Sequence, residues 1–102
     1  DWRTYGQVSD AGTITRAGEQ TSVLACVFDS GVEVYLDEET QTFFAEAVFP
    51  EKIEGAHDLF EALSLDDLNG DGDSDVQLML TGQTLIWYYD AASESYVYQP
   101  QT

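Results

Sequence analysis

The stretch Asp67-Leu68-Asn69-Gly70-Asp71-Gly72-Asp73-Ser74-Asp75 sets oxygen donors at a spacing suited to one hard cation. Calcium takes six to eight oxygen ligands at about 2.3–2.6 Å, chiefly from carboxylates and carbonyls. A short loop can supply them only if alternate side chains point inward, and Asp67, Asn69 and Asp71 are spaced in that way. Gly72 follows where the chain must turn sharply, and Gly70 adds freedom to wrap. Asp73 is expected to offer its backbone carbonyl, with its carboxylate outward. Asp75 closes the set, reaching the ion directly or through water. Magnesium suits the loop less, because it demands octahedral geometry and keeps its waters. Zinc suits the loop poorly, since no Cys or His is near. The alternative is a solvated acidic turn of the Asn-Gly or Asp-Gly kind. Against it stands the crowding of Asp66, Asp67, Asp71, Asp73 and Asp75, because neighbouring carboxylates without a counter-ion raise one another's pKa.

The spacing Asp-x-Asn-x-Asp-Gly-x-x-Asp matches the first part of an EF-hand loop. It departs at the twelfth position, where the bidentate Glu is replaced by Leu78. The flank Val76-Gln77-Leu78-Met79-Leu80 alternates with period two, so a strand follows the loop rather than a helix. The segment Leu65 to Val76 resembles the calcium loops of FG-GAP and VCBS-type repeats, and a dockerin loop without its helices. With the aromatic stretches Leu85-Ile86-Trp87-Tyr88-Tyr89-Asp90 and Tyr96-Val97-Tyr98, it is similar to small exported bacterial β-proteins, some of them lysozyme-inhibitor-like or immunity-like. The resemblance covers roughly residues 60 to 98. It implies ligands at Asp67, Asn69, Asp71, Asp73 through its carbonyl, and Asp75.

The elements that must hold this loop read as short strands. Thr13-Ile14-Thr15-Arg16 is a β-branched piece, and Thr21 to Phe28 is apolar enough to be covered on both faces. Asp29-Ser30-Gly31 makes a tight turn into Val32-Glu33-Val34-Tyr35-Leu36, with Val32, Val34 and Leu36 on one face. After a polar turn at 37–41, Thr42 to Phe49 is a strand that sets Phe43, Ala45 and Ala47 against Phe44, Glu46 and Val48. Pro50 stops it, since proline cannot donate to a sheet ladder. Glu51 to Asp58 is a polar crossing. Phe60 to Leu65 is read as a strand over one helical turn, and Val76–Leu80, Leu85–Tyr89 and Tyr96–Tyr98 follow as further strands. The expected fold is mainly β: an antiparallel β-sandwich, or a strongly curved, barrel-like sheet. Residues 1–102 form one domain, whose carboxy-terminal half resembles a propeller blade. Phe28, Phe43, Trp87 and Tyr96 are candidates for the core.

Twenty Asp and Glu face three Lys and Arg, a formal net charge of −17. Such a surface repels nucleic acid and anionic lipid and attracts cations and basic proteins. The single cysteine, Cys26, lies in an apolar run and reads as a buried, inert thiol. No apolar run is long enough to span a bilayer. Because the chain begins at Asp1 without a methionine, a processed or trimmed form is expected. His57 beside Asp58 could act as a base, but no nucleophile motif accompanies it in sequence. Glu33, Glu46 and Glu61 could pair for glycoside cleavage, although twenty acids produce such pairs by chance. Trp87, Tyr88, Tyr89, Tyr96 and Tyr98 could form a stacking patch, but alternation sends half of them to the core.

Together these features predict a non-enzymatic, calcium-stabilised, extracytoplasmic β-module, secreted, periplasmic or cell-surface, including a lipoprotein. The competing expectation is an acidic inhibitor or immunity protein for a basic hydrolase such as a lysozyme, and a hydrolase ranks third.

Overall fold

The computed structural model describes residues 9–16, 18–36 and 42–100. Among the described residues eight strands follow one another: β1 (Ser9–Arg16), β2 (Glu19–Phe28), β3 (Gly31–Leu36), β4 (Thr42–Val48), β5 (Phe60–Ser64), β6 (Val76–Leu80), β7 (Gln83–Asp90) and β8 (Ser95–Gln99). They pair only with their sequence neighbours, all antiparallel, as two four-stranded meanders in the orders β1-β2-β3-β4 and β5-β6-β7-β8. One turn of 3-10 helix, Ala56–Leu59, lies in the crossing between the sheets.

Alternation decides what each strand buries. Val23, Ala25 and Val27 of β2, Val32 and Val34 of β3, and Ala45 and Ala47 of β4 face Val76, Leu78 and Leu80 of β6 and Leu85, Trp87 and Tyr89 of β7 in one core. This is a β-sandwich, its two inner faces interdigitating as aligned sheets do. The sheets approach each other along β4 and β8, where the Trp87 indole Nε1 donates to the Val48 carbonyl at 3.0 Å. Phe60 to Ser64 is a strand, as its sequence suggests. β2 is covered on both sides, since Leu24 and Cys26 are buried away from the core along with the inward residues. Gly31 closes the β2–β3 hairpin at φ 152, and a Cβ there would stand 2.3 Å from the Ala47 carbonyl oxygen, so only glycine fits.

The β4 register departs from strict alternation. A bulge between Val34 and Tyr35 pairs Tyr35 with Phe43 but Val34 with Ala45, leaving Phe44 as the extra residue. Phe43 is therefore 54% exposed rather than in the core. Phe44 instead packs on the core, stacked on Tyr89 and edge-on to Tyr96. Phe28 is half-buried and outside the core, whereas Trp87 and Tyr96 belong to it. The polar turn at 37–41 lies outside the described residues. The bulge predicts unequal effects of truncation. Phe44→Ala should cost about 2–3 kcal/mol, below the full-burial value because the ring is only half-buried, and Phe43→Ala less than about 1 kcal/mol. Urea midpoints of the two variants check this, and equal losses would contradict the bulged register.

Candidate metal centre

The acidic loop leaves β5 at Ser64 and enters β6 at Val76. Its shape is set by carboxylates folding the backbone around themselves. Asp67 accepts the Gly70 N–H at 2.8 Å through Oδ1 and the Gly72 N–H at 2.9 Å through Oδ2. Gly72 has φ 90, a conformation that side chains disfavour, and this brings its N–H back to Asp67. Asn69 Oδ1 accepts the Asp71 N–H at 3.3 Å, and Asp71 Oδ1 accepts the Asp73 N–H at 2.9 Å.

The last two loop residues tie it to both sheets. Ser74 exchanges bonds with Thr15 of β1: its N–H donates to the Thr15 carbonyl and its Oγ accepts the Thr15 N–H, both at 2.8 Å. Asp75 is fully buried. Its Oδ2 accepts the Leu68 N–H and its Oδ1 the Tyr89 N–H of β7, each at 2.8 Å. The Asp75 N–H donates to the Asp66 carbonyl, while Ser64 Oγ donates to the Asp66 carboxylate.

Asp67, Asp71 and Asp75 each present one carboxylate oxygen, and the three oxygens lie within 4.8 Å of one another. This group could hold a metal ion, and among the described residues it is the sole group of three or more acidic, His or Cys side chains so arranged. Of the five residues expected as ligands, the structure draws these three together. The Asp73 carboxylate lies outside the group, and the Asn69 oxygen is turned to the Asp71 N–H. Leu78, where an EF-hand would carry its final Glu, is fully buried in the core.

The electrostatics of the group are uneven. The Gly72 N–H, followed by that of Gly70, holds the Asp67 carboxyl below the usual Asp range, and burial opposes this only in part. Burial pushes Asp75 up, the Tyr89 and Leu68 N–H groups pull it down, and the charges of Asp71 and Asp67 add to the rise. A buried carboxylate facing two others favours a cation between them, which would turn the repulsion into attraction.

Sequence reasoning gave Ser74 no role and Asp75 only that of a ligand. Extending the β6 alternation back from Val76 places Ser74 on the inward parity, a signal that was present in the residues. The bond from Asp75 to Tyr89 spans 14 positions, and no local pattern announces it.

The other candidates are dispersed. His57 lines an open depression of about 500 Å³ with Phe28, Asp29, Ser30 and Lys52. Its Nε2 stands 3.5 Å from an Asp58 carboxylate oxygen, and Asp29 is committed to the Gly55 N–H at 3.1 Å. Ser30 therefore lies near His57, a proximity the sequence did not suggest, but no hydrogen bond links the two side chains. Glu33 and Glu46 face each other across β3 and β4, while Glu61 is exposed on β5 of the other sheet. Trp87, Tyr89 and Tyr96 are buried, so three of the five aromatic residues proposed for a patch belong to the core. Cys26 is buried. Among the described residues no helix is long and apolar enough to cross a membrane. Comparison with protein-family models, curated proteins and solved structures returned no match.

Proposed function

We propose that the chain is a non-enzymatic, extracytoplasmic β-module in which the acidic loop binds one calcium ion in a structural role. The observation that carries this reading is the convergence of Asp67, Asp71 and Asp75 in a loop whose last residues bond to both sheets. An ion there relieves carboxylate repulsion and locks the junction between β1, β6 and β7. Asn69 and the Asp73 carbonyl complete the proposed ligand set. All donors are hard oxygens, which suits calcium over zinc, and an irregular loop suits it over magnesium. A loop without the terminal Glu should bind weakly, in the range of about 10⁻⁴–10⁻³ M typical of extracellular modules, so it fills where calcium is millimolar. This supports a secreted, periplasmic or surface location. The likeness of Leu65 to Val76 to FG-GAP and VCBS-type loops agrees with it.

Thermal melting in excess chelator and then in millimolar calcium tests the proposal. An ion that binds only the folded state stabilises it by RT ln(1 + [L]/Kd), about 1.4 kcal/mol at ten times Kd. For a domain of this size that corresponds to a rise of roughly 5–10 °C. Magnesium should raise the melting temperature much less, and acidification should release the ion as its carboxylates protonate. Superimposable curves with and without calcium would overturn the proposal.

The charge of −17 supports a second reading, an inhibitor or immunity protein for a basic hydrolase such as a lysozyme.

A further inference from the structure

The outer face of the β3–β4 hairpin carries a charge pattern that no ion pair among the described residues neutralises. Register places Glu33 directly opposite Glu46, and like charges in that position repel. Neither has an ion pair within the described residues. Glu33 accepts a hydrogen bond from the Tyr35 hydroxyl, which also lies on this face. The bulge turns Phe43 outward, edge-on to Tyr35 at a centroid distance of 5.8 Å. Val48 follows Glu46 on the same face, and Phe43 and Val48 are 54% and 50% exposed. Two carboxylates, an exposed aromatic ring and an exposed valine thus share the outer face of β3 and β4, at one edge of the four-stranded sheet.

We infer that the outer face of β3–β4, through Glu33, Glu46 and Phe43, docks an arginine side chain presented by a basic protein. The inference rests on the second reading above and is independent of the calcium site. A guanidinium can fork between two carboxylates while its plane stacks on an aromatic ring, which an ammonium does less well. A metal ion fits this face poorly, because among the described residues no third His, Cys, Asp or Glu side chain joins the two glutamates. The net charge of −17 adds long-range steering toward a cationic partner.

Fluorescence anisotropy with labelled deca-arginine and deca-lysine, in low salt and saturating calcium, tests the inference. Deca-arginine should bind several-fold more tightly than deca-lysine. Glu46→Gln and Phe43→Ser should each weaken deca-arginine binding by about three- to fivefold. Glu61→Gln, which removes the same charge from β5, should change it less than about twofold. Melting curves confirm that each variant is folded. If Glu46→Gln and Glu61→Gln act equally and the two peptides bind alike, only diffuse charge is at work; the docking face is then wrong while the basic-partner reading stands. No binding of either peptide would overturn both.

Discussion

Asp75→Ala should lower the melting temperature of the metal-free protein by roughly 12–24 °C, the consequence of losing about 3 kcal/mol. The side chain is fully buried and accepts two backbone N–H groups, one from Leu68 in its own loop and one from Tyr89 in β7. Hydrogen bonds to a charged acceptor contribute about 1.5–3 kcal/mol each, and removing the acceptor leaves the Tyr89 N–H buried without a partner. Relief of the burial and repulsion that raise the Asp75 pKa offsets part of this loss. Asp75→Asn should recover about half, since the amide keeps one carbonyl oxygen but turns an NH₂ toward the other N–H donor. Both variants should lose calcium-dependent stabilisation. A chelator-treated Asp75→Ala protein that melts within about 2 °C of wild type would show that these bonds do not hold the loop in solution.

Asp71→Ala separates the ion from the scaffold. Asp71 is exposed, and its carboxylate bonds within the loop only to the Asp73 N–H. Its removal should weaken calcium binding more than about tenfold, because one of three converging carboxylates is gone. The metal-free protein should change little or gain slightly, as a charge that repels Asp75 disappears. Titration calorimetry reads the affinity and a melting curve in chelator reads the scaffold. Unchanged affinity would rule out Asp71 as a ligand. Loss of metal-free stability comparable to that of Asp75→Ala would place Asp71 among the structural residues instead.

The two aspartates differ in a way their local sequence hides. Both belong to one Asp-rich run, and both fit a calcium spacing. Only the folded chain buries Asp75 against β7 and leaves Asp71 in solvent. The same holds for Phe43 and Phe44, adjacent and chemically identical. Alternation from Ala45 and Ala47 points Phe43 inward, but the bulge opposite Val34 and Tyr35 shifts the phase by one. A one-residue slip exchanges the faces of a strand, and no propensity encodes where it occurs.

The residues by themselves determined the strand class, because β-branched and aromatic alternation bounded by Gly, Pro and acidic turns leaves little room for helix. They also determined the oxygen-rich loop before β6 and the burial of Cys26, each a local property of composition and spacing. The tertiary structure decided that the strands divide into two meanders of four rather than close into one barrel, and that the loop is stapled to β1 through Ser74 and to β7 through Asp75. Those contacts join positions 59 and 14 residues apart, and their formation depends on how two sheets pack. Periodicity reports which face of an element is apolar; which elements meet depends on the shared core they bury, a property of the whole chain.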